Sequence, residues 1–240
     1  VAGDVVAAVG VDSKQTYVAG YKTKEFTPMH LSVMDGGLDM VEYIYYMSLN
    51  YGGMEVFLAD TTGKVNLLSG SQPQLDGLKL SENGKKAAYL DTDANTGDTI
   101  LVEIELGKEK AETVATNVQS FGYIGNTLIY YFDYTEGVGT LGAAGSKTTI
   151  ANASGVQFTE DAVYYVADAD AATGNGELRA WDGETETAIA KDVFAFQYKE
   201  NGKLVYIGKY DVNAGVGDLY YYDGREARKL DTGITAIFIY

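Results

Sequence analysis

Cysteine is absent from the 240 residues, histidine and tryptophan occur once each, and proline occurs twice. Without thiols, zinc ribbons, disulfide scaffolds and thiol catalysis are excluded. With His30 as the single imidazole, a mechanism that needs two, as most zinc hydrolase sites do, is excluded as well. Positive charge is scarce too: 18 Lys and Arg stand against 34 Asp and Glu, a formal charge of −16. The basic residues come in ones and twos (Lys22 and Lys24, Lys85 and Lys86, Arg225 and Arg228). Such a surface repels a phosphate backbone, so nucleic acid is not an expected partner. No apolar run approaches the roughly 18 residues that cross a bilayer, so this domain is expected to make no membrane contact of its own. The chain opens on Val1, which leaves room for a signal or anchor upstream.

What the chain has is a repeat. An apolar share of 46% with 22% charged residues is globular, and self-similarity recurs about every 40 residues. The stretch Val156-Gln-Phe-Thr-Glu-Asp-Ala-Val-Tyr-Tyr-Val-Ala-Asp168 returns, with variations, in Phe194 to Asp211. Leu178-Arg-Ala-Trp-Asp-Gly183 returns as Leu219-Tyr-Tyr-Tyr-Asp-Gly224. First strands begin at Leu31, Leu78, Val118, Val156, Phe194 and Ile234, spaced by 47, 40, 38, 38 and 40 residues.

Each unit reads as four short strands, A to D, rich in Tyr, Val and Ile as half-buried pleated surfaces require. The A–B turns include Asn83-Gly84 and Asn201-Gly202, and the C–D turns include Asp182-Gly183 and Asp223-Gly224. Such pairs favour two-residue type I′ hairpins, in which both residues need φ > 0. Leu38 to Met47, apolar on both faces, occupies the place of a strand B. Four strands in about 40 residues make a propeller blade. The expectation is an all-β, six-bladed β-propeller of four-stranded antiparallel blades forming one domain over residues 1–240. Its units are 31–77, 78–117, 118–155, 156–193 and 194–233. The closing blade is shared by the termini: 234–240 supply strand A, while Val5 to Asp12 and Thr16 to Gly20 read as C and D within 1–30. Strand B of that blade is not accounted for. Pairing the ends removes free sheet edges, and Pro28 and Pro73 fall just before the first strands at Leu31 and Leu78.

Tyr43-Ile-Tyr-Tyr-Met-Ser-Leu-Asn-Tyr-Gly-Gly-Met-Glu-Val-Phe-Leu-Ala-Asp60, with Gly176 to Gly183 and Asp218 to Gly224, resembles the six-bladed TolB-like propellers. Within these it is most similar to bacterial relatives of the YWTD propellers, although no unit carries the whole Tyr-Trp-Thr-Asp tetrad. The resemblance spans residues 31–231 and implies a cell-surface or envelope protein.

The residues offer little catalytic chemistry. Pro28-Met-His-Leu-Ser32 lacks a nucleophile elbow around His30. The only arginines are Arg179, Arg225 and Arg228, two of them on one hairpin, which argues against a carboxylate clamp drawn from several blades. Trp181 with Tyr222, and Tyr89 with Tyr206, read as equivalent positions and therefore as packing between blades, against the alternative of a sugar- or peptide-binding face.

The B–C loops are acidic. They read Asp91-Thr-Asp93-Ala-Asn95-Thr-Gly97-Asp98, Asp133-Tyr-Thr-Glu136-Gly, Asp168-Ala-Asp170-Ala-Ala-Thr-Gly174 and Asp211-Val-Asn213-Ala-Gly215. Two readings stand side by side. Asx residues cap turns through nearby backbone N–H groups. Alternatively, Asp91, Asp93, Asn95 and Asp98, with Asp168 and Asp170 second, form a weak Ca²⁺ site, the only cofactor the sequence suggests. A Glu at the twelfth loop position is missing, since that residue is Val102.

The functional expectation is a non-enzymatic, extracellular or cell-surface module that binds or scaffolds a protein or glycan ligand. The alternative is a carbohydrate-processing hydrolase or lyase with paired carboxylates at one end of the channel. An intracellular interaction propeller is a third reading.

Overall fold

In a computed structural model of the chain, side chains are described for residues 78–105 and 111–238, and strand paths alone for 5–9, 16–20, 26–29, 43–50, 53–60, 65–68 and 74–77. His30, the first strand expected at Leu31, and Pro73 lie outside the described residues. Every regular element described is a strand. The chain divides into two compact units, Val1–Thr116 and Asn117–Tyr240.

The first unit holds three antiparallel sheets. Strands β1 (Val5–Val9), β2 (Thr16–Gly20) and β3 (Phe26–Met29) form one. The two N-terminal strands read from sequence are therefore followed by a third. Pro28 lies inside β3, opposite Tyr17, rather than ahead of a strand. It is tolerated there because β3 is an edge, where a missing N–H breaks no ladder. Strands β4 (Tyr43–Asn50), β5 (Gly53–Asp60) and β6 (Val65–Leu68) form the second sheet, so Tyr43 to Met47 is strand. The third, β7 (Gln74–Leu80), β8 (Lys86–Thr92), β9 (Thr99–Glu105) and β10 (Ala111–Thr116), is a complete A-B-C-D meander. One of its faces buries Ala87, Tyr89, Val102 and Ile104, with Leu78 and Leu80 packed against them.

The second unit is a single antiparallel ladder of ten strands in sequence order: β11 (Val118–Ile124), β12 (Thr127–Thr135), β13 (Val138–Ala143), β14 (Thr149–Phe158), β15 (Val163–Ala167), β16 (Gly176–Trp181), β17 (Glu186–Glu200), β18 (Lys203–Asp211), β19 (Val216–Tyr222) and β20 (Ala227–Ile234). The repeats are fused because β14 and β17 each serve two of them. Residues 149–154 of β14 pair with β13, and residues 153–158 pair with β15. In β17, residues 186–193 pair with β16 and residues 193–200 with β18. Strand D of one repeat thus runs on as strand A of the next, giving three repeats of four strands.

Packing follows from this arrangement. Ile129, Tyr131 and Leu141 of the first repeat meet Val163, Tyr165 and Trp181 of the middle one. The opposite face of the middle repeat, with Tyr164, Val166 and Leu178, meets Phe196, Leu204 and Tyr206 of the third. Alternate residues of a strand point to opposite faces, so β15, covered on both, is buried at all five positions. Trp181 is 2% exposed, as the packing reading of the sequence expects.

The pairing register corrects finer readings. Trp181 pairs with Val163 and Tyr222 with Leu204, so those two are equivalent. Tyr206 instead matches Tyr130 and Tyr165, while Tyr89 matches Tyr131, one position along. Similar strand texture hides a shift of one residue, because both faces are apolar. Of the four turns singled out in the sequence, Asn201-Gly202 has φ > 0 at both residues (50° and 72°), as type I′ requires, and so does Glu136-Gly137 (52° and 91°) between β12 and β13. At Asp182-Gly183 and Asp223-Gly224 only the glycines do (101° and 98°). Their loops are wider because the Asp carboxylate draws in the two N–H groups after the glycine. At Asn83-Gly84 the turn is likewise opened, with Ser81 N–H and hydroxyl both directed to Lys86 carbonyl.

Candidate functional site

The B–C loops lie at the end of the meander opposite the A–B and C–D turns; three are built from a capping aspartate followed by a glycine, and the fourth is the two-residue turn Glu136-Gly137. Asp93 Oδ1 accepts the N–H groups of Asn95 and Thr96 at 2.8 and 3.1 Å. Asp170 Oδ1 accepts those of Ala172 and Thr173 at 3.0 and 2.9 Å, plus the Thr173 hydroxyl. Asp211 Oδ1 accepts those of Asn213 and Ala214. Gly97, Gly174 and Gly215 then close each turn by donating back to the Asp carbonyl. Hydrogen bonds to the ionised form hold Asp93 and Asp170 below the usual carboxylate range, chiefly through the backbone of Asn95 and of Thr173 respectively. Asp211 is thus the counterpart of Asp93 and Asp170, not of Asp91 and Asp168 as its place in the sequence suggested.

Asp91 and Asp168 do different work. Asp91 is 2% exposed and its Oδ1 accepts the Thr92 N–H at 2.8 Å. Asp168 is exposed, sits at φ 48° and accepts Asn152 Nδ2 at 3.1 Å, while its N–H donates to the Asn152 carbonyl. Asn95 and Asp98 are exposed, and the Asp98 carbonyl receives the Asp93 N–H. Among the described residues no three acidic or histidine side chains come together where they could hold a metal ion.

Sequence reading missed three arrangements. The first is the pair of left-handed residues that locks each corner. Asn117 (φ 54°) binds Asp133 (φ 51°) through Nδ2 at 3.3 Å, and Asn152 (φ 55°) binds Asp168 in the same way. Each partner's N–H donates to the Asn carbonyl. The separation of 16 residues in both was a signal available in the sequence. The second is a pair of side-chain amides reaching to the next repeat. Gln157 Nε2 donates to the Phe196 carbonyl at 3.0 Å while its Oε1 accepts the Tyr198 N–H at 3.0 Å. Asn175 treats Tyr210 likewise, at 2.9 and 3.2 Å.

The third surrounds Arg179, whose Nε and Nη2 donate to Glu177 and whose Nη1 donates to Glu186, which also accepts the Tyr165 hydroxyl. Hydrogen bonding, first to Glu186 and then to Glu177, raises Arg179 further. Burial opposes charge on Glu186, but the bonds from Tyr165 and Arg179 outweigh it and hold the carboxyl low. A guanidinium so engaged is not free to clamp a ligand carboxylate. Among the described residues every buried side-chain nitrogen and oxygen has a partner.

No family model and no curated protein matches the chain. Similar solved structures include the β-propeller domain of the Trilobed protease from Pyrococcus furiosus, 13% identical, covering 97% of this chain and 83% of that one with a TM-score of 0.48. TolB from Acinetobacter baumannii is 12% identical, covering 95% and 64% with a TM-score of 0.41. An uncharacterized Listeria monocytogenes protein is 8% identical, covering 94% and 78% with a TM-score of 0.49. Against an acylaminoacyl peptidase and the tricorn protease the chain spans 39% and 30% of their length. At such values the fold rests on strand pairing and packing, and the chain is similar to TolB, the likeness its sequence implies, and to protease propeller domains.

Proposed function

We propose that the chain is a non-catalytic display module that works outside the cytoplasm by binding a protein or a glycan. In this reading six four-stranded blades form a ring, closed where the strand from 234–240 joins those of residues 1–30. The observation that carries the non-catalytic part is the employment of the best candidate carboxylates. Asp93 and Asp170 cap turns, Asp168 locks a corner, and Asp91 is buried against its own strand. A carboxylate that accepts two backbone N–H groups is held ionised and oriented away from general-acid duty. What remains is a rigid set of acidic loops on a packed scaffold, suited to recognition.

The test has two arms. Chromogenic glycosides, esters and phosphates should show no turnover above background, and arrays of glycans and envelope proteins should show saturable binding. A reproducible turnover abolished by one Asp or Glu substitution would overturn the reading in favour of a paired-carboxylate hydrolase or lyase.

A further inference from the structure

We propose that the rim where the third repeat meets the B–C loop of the middle one is a carbohydrate site, in which the stacked rings of Phe194 and Tyr210 carry a neutral sugar ring. The inference deepens the glycan half of the proposed reading and rests on it. Six large apolar side chains stand exposed among the described residues, and four of them, Tyr134, Val138, Phe194 and Val212, lie at the B–C end. An apolar group left in water forgoes the gain from burial, so its concentration at one end marks a surface made for contact.

At the third corner this surface is organised. The rings of Phe194 and Tyr210 are stacked, with 3.9 Å between centroids and 9° between planes, and Phe194 is 37% exposed. The middle repeat backs the pair. A Cβ on Gly174 would lie 3.0 Å from the Phe194 ring, so the glycine leaves room for it. The Asn175 amide fixes Tyr210 by bonding both its carbonyl and its N–H. The platform is therefore held in place before any ligand arrives, which lowers the entropy cost of binding. The other two corners lack it. Gln119 and Ser154 stand where Phe194 does, two residues after the left-handed Asn117, Asn152 and Asp192. Tyr134 and Ala169 stand where Tyr210 does, one residue after the left-handed Asp133, Asp168 and Lys209.

The class of ligand follows from the charges. The chain carries −16 overall, yet this corner is balanced: Lys191 and Asp192 precede Phe194, Lys209 and Asp211 flank Tyr210, and all four are exposed. At the first two corners an Asn–Asp bond joins the left-handed residues. At the third those residues are Asp192 and Lys209, and the Lys209 charge acts on Asp218 instead. Donors and acceptors thus accompany the rings without a net charge, which suits a ligand that is itself neutral and rich in hydroxyls. A pyranose is such a ligand. Its axial C–H groups cover aromatic surface while its equatorial hydroxyls reach the polar rim. A basic ligand would meet two lysines there, and an acidic one would meet two aspartates and the repulsion of the whole chain.

NMR titration of the full chain with maltohexaose, cellohexaose and chitohexaose tests this, with hexalysine and hexaglutamate as charged probes. At least one neutral hexasaccharide should bind saturably and shift the ring protons of Phe194 and Tyr210 in the parent protein. Its Kd should change less than about twofold as salt rises from about 0.05 to about 0.5 M. Phe194→Leu, which keeps an apolar group over Gly174 but removes the ring, should weaken that binding at least about tenfold, and Phe194→Trp should restore it. Tyr134→Ala, at the first corner, should leave it unchanged. Three results overturn the proposal: no saturable binding of any neutral hexasaccharide, binding that neither shifts these rings nor responds to Phe194→Leu, or displacement of the sugar by a charged probe at low salt. Sugar binding indifferent to Phe194→Leu removes this site and leaves the glycan reading standing. Capture on the protein array alone removes the site and leaves the protein half of that reading, whereas turnover of a bound hexasaccharide overturns the non-catalytic reading and leaves the platform.

Discussion

The sheet β7–β10 and the three repeats after it have the same four strands but turn the corner from B to C differently. In the earlier sheet the B–C ladder runs unbroken from Lys86 opposite Glu105 to Thr92 opposite Thr99, and Asp91 stays in it. In the later repeats the corresponding Asp133, Asp168 and Lys209 swing to φ near 50°. Strand C there begins beside a glycine, Gly139, Gly176 or Gly217. A Cβ on any of them would strike the carbonyl of strand B, of Phe132, Ala167 and Gly208 respectively. The earlier sheet has Ile100 at that station and no such crossing. The difference teaches that the kink and the missing Cβ are one device, to which the first two of these repeats add the Asn–Asp lock: a left-handed residue bends strand B, the bend presses the next strand onto it, and only glycine fits.

The largest expected effect follows directly. Gly176→Ala should cost about 3 kcal/mol through overpacking against backbone, whereas Gly97→Ala, with nothing within 4 Å and only its φ of +78° to oppose it, should cost about 1 kcal/mol. Chemical denaturation of both variants checks this, and equal costs would break the comparison. Next is the lock. Asn152→Ala should cost about 1–2 kcal/mol, combining a lost hydrogen bond with left-handed strain. Asn152→Gly, which keeps the conformation, should lose only about 0.5 kcal/mol.

A pH series addresses the turn caps, which both regions share. Asp93, Asp170, Asp182 and Asp223 have folded-state pKa values below the ordinary one because backbone N–H groups bond the carboxylate. The stability they contribute is therefore complete above the unfolded value of about 3.9 and is lost as pH falls through the lower folded values. Asp170→Asn keeps an acceptor but does not titrate there. The gap in melting temperature between parent and variant should narrow as pH drops from 6 toward 3, and a constant gap would show that the charge is idle.

Cations should not distinguish the two regions. Millimolar Ca²⁺ and Mg²⁺ should shift melting equally, by screening the net charge alone. A Ca²⁺-specific gain removed by Asp91→Ala and Asp93→Ala would assign a cation site to the β8–β9 loop. The smallest effect concerns Lys209, a residue type poorly suited to φ of 52°. Lys209→Asn should stabilise by about 0.5–1 kcal/mol, measured as a higher denaturation midpoint.

Repeat length, strand count and the acidic loops were readable from sequence because they are local: a turn needs its Asp and Gly within a few residues, and a strand needs its alternation. Burial of Trp181, Tyr89 and Tyr206 was readable for the same reason, as large rings recurring in the strands of successive units have to pack. The acids' roles were less readable. Asp168 and Asp170 look alike in a loop two residues apart, yet one caps the turn and the other reaches Asn152 across the sheet. That choice depends on where strand D passes.

By itself, then, the sequence determined an all-β chain of four-stranded repeats whose loops cap themselves, since backbone hydrogen bonding and side-chain alternation act over short spans. Only the tertiary structure decided that β14 and β17 run through two repeats each and that Asn117 and Asn152 take left-handed backbone to lock a distant Asp. It alone showed Gln157 reading the backbone of a strand about 40 residues away. These depend on the distance between strands that meet only when hydrophobic faces stack, and no local pattern encodes that distance.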